Sequence, residues 1–147
     1  MSVLDLTTAA TVHTLEITGD ELAGDTHVDA GALCDHGRHF AAATVIANDD
    51  VLLVDMATAE DITLPSGRSG LVQTIAFGAG DRIAIPADDE GNIVVLSFER
   101  AKPKQPVTRL ELKGGHAAKV CGLTFGKDGS DLVSAAEDGS VCLWKLA

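Results

Sequence analysis

Three residues in the C-terminal third of the chain have the side-chain types of a nucleophilic catalytic site. His116, Ser134 and Asp138 would supply a base, a hydroxyl nucleophile and a carboxylate that orients the base. However, Ser134 lies inside the apolar segment 131–136, and no nucleophile-elbow motif surrounds it. A catalytic serine also needs an exposed oxygen atom and an oxyanion hole. We therefore interpret these residues as a structural hydrogen-bonding group and predict that the chain is not an enzyme.

A second group of potential ligands lies nearer the N-terminus. Histidine and cysteine are ligand types that bind zinc, and this segment contains His27, Cys34, His36 and His39. Their spacing matches no common zinc signature, and the sequence offers no second cysteine pair. We interpret the segment as a polar turn beside a buried cysteine, and predict no metal or cofactor. A metal-dependent enzyme that uses these four residues is the alternative.

The elements that must position these residues are short apolar segments separated by glycine, aspartate and asparagine, a pattern typical of β-strands joined by turns. Strands are predicted at 120–125, 131–136 and 141–146, with Asp-Gly turns between them. The same arrangement recurs at 72–77, 82–87 and 92–98. Phe77 and Phe125 are equivalent, and their separation (125 − 77 = 48 residues) is typical of a propeller blade with a small insertion.

Weaker copies of this three-strand arrangement precede the two at 72–98 and 120–146. Strands are predicted at 31–34, 39–46 and 51–55, with outer strands at 62–64 and 107–112. At the N-terminus, 2–8 and 10–16 have the pattern of a third strand and an outer strand. The sequence therefore predicts four units: a partial blade at 1–20, degenerate blades at 21–65 and 66–113, and a last blade at 114–147 that lacks its outer strand.

The last unit resembles a WD40 repeat. Gly115-His116 matches the Gly-His pair of that family, and Trp144-Lys145 stands where Trp-Asp is usual. In WD40 repeats a histidine, a serine or threonine, an aspartate and a tryptophan form a hydrogen-bonded chain inside the blade. The resemblance assigns these roles to His116, Ser134, Asp138 and Trp144. The other units are degenerate: 66–113 has Gly67-Arg68 and Leu96-Ser97 at the two motif positions, and 21–65 keeps only the aspartate, Asp55.

The resemblance implies an all-β fold of about three four-stranded antiparallel blades. Propellers typically need at least four blades to close, so the blades would form an open arc or part of a larger propeller. We expect closure by self-association, by a second chain that supplies the missing blades, or by further blades of a longer gene product.

Charge is distributed unevenly over the predicted loops. The turns between second and third strands share one side of the blades, here called the acidic face, and carry Asp49, Asp50, Asp88, Asp89, Glu90 and Glu137. The opposite side would carry a basic loop at 99–106 with Arg100, Lys102 and Lys104, together with Arg38, Arg82 and Lys127. A basic peptide or protein is the partner that clustered carboxylates would attract. Ordinary solvated turns are the alternative, because aspartate suits turn geometry.

The composition and charge of the chain bear on its ligand class, its order and its cellular compartment. The formal net charge of −11 argues against general binding to a nucleic acid backbone. A hydrophobic content of 46% excludes a disordered chain. No signal peptide or membrane-spanning segment is visible, and three cysteines, an odd number, suit free thiols in a reducing compartment. We therefore expect an intracellular protein, cytoplasmic or nuclear.

The function that these observations favour is a non-catalytic scaffold that mediates protein–protein interaction within a multi-subunit complex. An alternative is a propeller subunit of a complex that processes pre-ribosomal RNA, because a degenerate blade, a basic loop and a well-kept last blade follow one another in that order. The WD40 resemblance implies both, since fold alone does not fix function.

Overall fold

The computed structural model describes residues 2–4, 11–14, 28–33, 40–45, 50–55, 61–64, 72–99 and 108–146. Within these ranges every regular element is a β-strand, which confirms the predicted all-β fold. The first sheet pairs two strands, β1 (Ser2–Leu4) and β2 (Thr11–Thr14). The second sheet has four strands in sequence order: β3 (Val28–Leu33), β4 (Phe40–Val45), β5 (Asp50–Asp55) and β6 (Asp61–Leu64).

The third and fourth sheets lie in the C-terminal half. The third contains β7 (Ala76–Gly78), β8 (Arg82–Pro86), β9 (Ile93–Ser97) and β10 (Thr108–Leu112), again in sequence order. The fourth contains β11 (Val120–Phe125), β12 (Asp131–Ala136) and β13 (Val141–Lys145). All pairings are antiparallel, so each sheet is a meander of locally connected strands.

Two apolar layers join neighbouring sheets. The first brings Val51 and Leu53 of the second sheet against Ile83, Ile85 and other residues of the third. The second layer joins the third and fourth sheets and contains Ala84, Ile93, Val95, Val120, Leu132, Ala136 and Leu146. The third sheet is therefore covered on both faces. This explains why β8 and β9 are nearly continuous apolar runs, whereas β12 alternates between buried and half-buried side chains.

Within the described residues, the strand boundaries depart from the sequence prediction by more than one residue at two places. A strand was predicted over 72–77, but pairing begins only at Ala76, which lies opposite Ala84. Val72 and Ile75 are buried without joining the ladder, so their apolar character reflects packing rather than strand pairing. The first strand of the second sheet begins at Val28, three residues earlier than predicted, and a register irregularity separates Val28 from Gly31.

Candidate functional site

The fourth sheet holds a buried chain of hydrogen bonds. Nε1 of Trp144 donates to Oγ of Ser134 over 2.8 Å. The same Oγ lies 2.5 Å from Nε2 of His116. Ser134 is fully buried and His116 is nearly so. The structure thus brings three of the four residues predicted for the blade network into direct contact.

Asp138, the fourth predicted residue, reaches the imidazole through a residue that the sequence prediction did not include. Oγ of Ser140 lies 2.5 Å from Nδ1 of His116 and donates to Oδ1 of Asp138 over 2.5 Å. The carboxylate also accepts the backbone N–H groups of Ser140 (2.8 Å) and Ala117 (2.7 Å). Asp138 therefore ties the turn between β12 and β13 to the segment that carries His116.

The directions of these bonds follow from proton counting. An ionised carboxylate only accepts, so the single hydroxyl proton of Ser140 goes to Asp138. Oγ of Ser140 then accepts the hydrogen of Nδ1 of His116, and in the tautomer that carries its hydrogen there Nε2 is an acceptor. Ser134 donates its proton to that Nε2 and accepts the proton of Trp144. Each member of the chain is satisfied, the condition under which a buried polar network rigidifies its surroundings.

Hydrogen bonds hold the pKa of Asp138 well below its ordinary value. The hydroxyl of Ser140 makes the largest contribution, followed by the backbone N–H groups of Ala117 and Ser140, and together they lower the pKa to about 2. The carboxylate is therefore ionised throughout the physiological range, which fixes it as the acceptor at the end of the chain.

Gly115 and Cys142 complete the surroundings of this network. The indole of Trp144 packs so closely on Gly115 that a β-carbon there would lie 2.5 Å from the ring, so the Gly-His pair of the motif needs its glycine for space. The thiol of Cys142 donates to the carbonyl oxygen of Gly115 over 3.0 Å. The rings of His116 and Trp144 meet edge to face, with centroids 6.3 Å apart.

This geometry is unsuited to nucleophilic catalysis at Ser134. Its side chain has no exposed area, and its oxygen atom already accepts from Trp144 while it contacts His116. A nucleophile must reach a substrate carbonyl, which would require opening the sheet. The arrangement is instead that of a hydrogen-bonded link between the strands of one sheet.

The third sheet shows what replaces the network when its polar residues are absent. By strand register, Ile85 lies where the fourth sheet has Ser134, and Leu96 lies where it has Trp144. Both are fully buried in the apolar layer. The degenerate blade thus substitutes apolar packing for the hydrogen-bonded chain, as the Leu96-Ser97 sequence indicates.

Lys145 stands where the WD40 motif usually has aspartate, and the structure gives it a partner. Its ammonium group contacts both carboxylate oxygens of Asp131, at 2.8 and 2.9 Å, directly across the β12–β13 ladder. Position 145 therefore carries a positive charge instead of the usual negative one, and a carboxylate on the neighbouring strand pairs with it.

Hydrogen bonds within its own turn already hold one carboxylate of the acidic face, that of Asp88. Asp88 accepts the backbone N–H of Glu90 over 2.9 Å, and the N–H and side-chain amide of Asn92 over 3.1 and 2.7 Å. Partial burial opposes ionisation of Asp88, but the hydrogen bonds from Asn92 and Glu90 outweigh it and lower the pKa of this carboxyl. Asp88 is therefore the counterpart of Asp138 as a turn residue.

The structure also places two lysines beside the acidic face. Lys119 contacts the carboxylate of Asp89 at 3.2 Å and bridges the third and fourth sheets. Lys113 pairs with Glu111 at 2.5 Å. Glu90 and Glu137 are exposed. Acidic groups still outnumber basic ones here, with five carboxylates on 88–90 and 137–138 against these two lysines.

The structure places some of the remaining predicted site residues at strand ends, and others lie outside the described ranges. Asp50 was predicted in the turn, but it is the first residue of β5, and nothing is described of its side chain. Arg82 and Lys127 lie at strand ends opposite the acidic face; Arg82 donates to the carbonyl oxygen of Gly129 over 3.2 Å. The remaining residues lie outside the described ranges: Asp49, Arg38, the basic-loop residues Arg100, Lys102 and Lys104, and the potential metal ligands His27, Cys34, His36 and His39.

Comparison with known proteins identifies the architecture. No protein-family model matches the chain. Over 122 residues it is 24% identical to Protein LST8 homolog of Drosophila melanogaster, a WD40 protein, with 82% of this chain and 39% of the relative covered. A chain in the complex of KlAtg21 with the coiled-coil of AgAtg16 superposes with a TM-score of 0.75 at 16% identity, covering 99% of this chain and 46% of that one. The chain has the WD40 β-propeller fold.

A second WD40 structure gives the same result. A chain of the mitotic checkpoint complex superposes with a TM-score of 0.70 at 17% identity, covering 99% of this chain and 42% of that one. This chain thus spans less than half the length of the WD40 proteins that it matches. Within the described ranges, no helix is long and apolar enough to cross a membrane.

Proposed function

We propose that the chain is a non-catalytic WD40 scaffold that mediates protein–protein contacts within a multi-subunit complex. The observation that carries this proposal is the closed hydrogen-bond network of the fourth sheet, in which the one serine–histidine pair suggestive of catalysis is buried and internally satisfied. The WD40 chains that superpose on this one come from complexes with other proteins, which supports the same function. The free thiols of Cys121 and Cys142 suit a reducing, intracellular location.

The acidic face is the surface that we assign to partner binding. Asp88 and Asp138 are held by turn and network bonds, and Lys119 offsets part of the charge of Asp89. The side chains of Glu90 and Glu137 are exposed and come from two neighbouring sheets, so they present carboxylates on one side of the blades. A basic segment of a partner protein is the complementary ligand, and charge of this kind mainly accelerates association.

The test is titration of a fluorescent lysine- and arginine-rich peptide into the purified chain at low ionic strength. The double variant Glu90→Lys/Glu137→Lys is expected to weaken binding about tenfold or more, because two charges change sign on the surface that the peptide contacts and its net charge rises by four units. Glu99→Lys is the matched control, since Glu99 is exposed just after β9, at the opposite end of that strand from the acidic face. This control should bind nearly as the unmodified chain does.

Two outcomes would contradict the acidic face as the binding surface. One is weakening by Glu99→Lys as large as that caused by Glu90→Lys alone, which would mean that only net charge matters. The other is unchanged binding by the double variant while its circular dichroism shows intact strands. Hydrolytic or metal-dependent turnover by the purified chain would instead contradict the non-catalytic part of the proposal.

A further inference from the structure

The outer strand of the third sheet, β10, presents an open edge. Among the described residues it pairs with β9 alone, which lies on its inner side. Four of its five residues are exposed, and Leu112 is half-buried. The backbone N–H and C=O groups along such an edge can pair with another extended segment. The third sheet therefore has room for an additional strand beside β10.

One side of this edge carries alternating charges, here called the charged row: Arg109, Glu111 and Lys113. Side chains two residues apart point to the same side of a strand. Nη1 of Arg109 contacts Oε1 of Glu111, and Nζ of Lys113 lies 2.5 Å from Oε2. The hydrogen bond from Lys113 and the charge of Arg109 lower the pKa of Glu111, so this carboxyl is ionised at neutral pH. The edge thus presents a positive, a negative and a positive charge in sequence.

The other side of β10 is apolar. Leu112 packs against the layer that joins the third and fourth sheets, whereas Leu110 is 46% exposed. The register places Leu110 opposite Val95 of β9, which is itself buried. An added strand with apolar side chains beside the two leucines would remove part of this exposed area from water, which is favourable.

A cleft of about 210 Å³ lies against the charged row. Its other lining residues include Ala87, Asp88 and Asn92, at the turn between β8 and β9. Small-molecule sites usually have at least about 300 Å³, so this cleft has the size for a single side chain. Its lining contains two carboxylates and two cations, which favours a segment with both signs of charge over a purely acidic or purely basic one.

The order of charges also indicates which strand fits. Two copies of β10 centred on Glu111 would pair badly, because Glu111 would face its own copy and Arg109 would face Lys113. A segment with acidic, basic and acidic residues at alternate positions instead places opposite charges along the whole charged row. Apolar residues between them would lie on the side of Leu110.

We propose that β10 binds an extended segment of a partner protein in which acidic, apolar, basic, apolar and acidic residues follow one another. The segment adds to the third sheet as a further strand. Its acidic residues lie opposite Arg109 and Lys113, and its basic residue lies opposite Glu111, beside the cleft. This edge is a second interaction surface, because the acidic face repels a segment of net negative charge.

Amide NMR of the full, isotope-labelled chain tests this proposal, with the capped peptide Glu-Val-Lys-Val-Glu as the probe. Peptide at up to millimolar concentration should shift the resonances of residues 108–113, whereas those of Glu90 and Glu137 should stay unchanged. The peptide Val-Glu-Lys-Glu-Val has the same composition but breaks the alternation. It should bind at least about tenfold more weakly, because it cannot place opposite charges along the whole charged row.

Backbone methylation of the peptide separates strand pairing from simple charge attraction. Alternate N–H groups of a strand point to opposite edges. N-methylation of the two valines and N-methylation of the lysine therefore block different edges of the peptide. One of these two peptides should bind at least about tenfold more weakly, and the other nearly as the unmodified peptide does.

Lys113→Glu should weaken binding of the unmodified peptide at least about threefold, because an attractive cross-strand pair becomes repulsive. Lys127→Glu is the matched control, since Lys127 is exposed in the turn after β11 and the charge change is the same. Three results would overturn the proposal: no shift at 108–113 with millimolar peptide, equal binding of the two methylated peptides, or equal weakening by Lys127→Glu. None of them alters the outcome of the basic-peptide titration, which tests the acidic face.

Discussion

Oγ of Ser140 lies between His116 and Asp138, 2.5 Å from Nδ1 of the imidazole and 2.5 Å from Oδ1 of the carboxylate. The histidine is therefore oriented by a serine that the aspartate fixes, and not by the aspartate itself. Asp138 also accepts the backbone N–H of Ala117. Its carboxylate therefore joins the turn before β13 to the segment before β11. The network thus connects the edges of the sheet as well as its interior.

The low pKa of Asp138 predicts a defined contribution to acid stability. Its carboxyl has an ordinary pKa of 3.8 in the unfolded chain and about 2 in the folded chain. Because the folded value is lower, the ionised group stabilises the fold above about pH 4, and this stabilisation disappears as the pH falls from about 4 to about 2. Asp138→Asn should be less stable than the unmodified chain at pH 6, with the difference shrinking over that window.

Urea unfolding at a series of pH values from 2 to 7, followed by the fluorescence of the single tryptophan, measures this difference. Asp128→Asn is a companion variant: hydrogen bonds from Ser130 also lower the pKa of Asp128, so its stability difference from the unmodified chain should likewise shrink as the pH falls, although Asp128 lies outside the network. A gap between Asp138→Asn and the unmodified chain that stays constant from pH 6 to pH 2 would contradict the assignment.

Much of the last blade could be predicted from the order of its residue types along the sequence. The ladder of β12 and β13 and the contacts among His116, Ser134 and Trp144 follow from the WD40 pattern. Ser140 was missed because serine after Asp-Gly is equally typical of an ordinary turn. Only the fold shows that its hydroxyl also reaches His116.

Other features depend on packing between distant segments, which residue patterns do not encode. Val72 has the same sequence character as a strand residue but is buried outside the ladder. The lysines beside the acidic face were equally invisible, because the contact between Lys119 and Asp89 joins two different sheets. A prediction made from each turn by itself could not include the positive charge that Lys119 brings to the acidic face.

Substitution of Gly91, at the junction between the third and fourth sheets, should lower the stability of the fold. Its φ of +94° disfavours any other residue, and a β-carbon there would lie 2.6 Å from Cβ of His116. Gly139 has a similar φ of +82°, but a β-carbon would meet nothing within 4 Å. Gly139→Ala should cost about 1–2 kcal/mol from backbone strain alone.

Gly91→Ala should cost about 1–3 kcal/mol more than Gly139→Ala, because the overlap with His116 adds to the same backbone strain. Thermal and urea unfolding of the two variants side by side provide the comparison. Equal losses of stability in both would show that the sheets do not approach each other this closely at Gly91.

The ion pair between Lys145 and Asp131 should contribute little to stability. Lys145 is well exposed, and exposed pairs are typically worth about 0–1 kcal/mol. Lys145→Asp restores the usual motif residue but places two carboxylates opposite each other, so it should be less stable than Lys145→Ala. Added salt should narrow the gap between these two variants, since screening weakens the repulsion. A gap that is insensitive to salt would contradict the electrostatic explanation.

The unfolding free energy of Ser134→Ala tests most directly whether the network is structural. This change leaves Nε2 of His116 and Nε1 of Trp144 buried without their shared partner, which should cost about 1–3 kcal/mol. Ser130→Ala, at an exposed turn position, should cost less than about 0.5 kcal/mol. The structural account predicts this clear separation in urea unfolding at pH 7. A Ser134→Ala chain as stable as the unmodified one, or more stable, would contradict it and return Ser134 to consideration as a functional nucleophile.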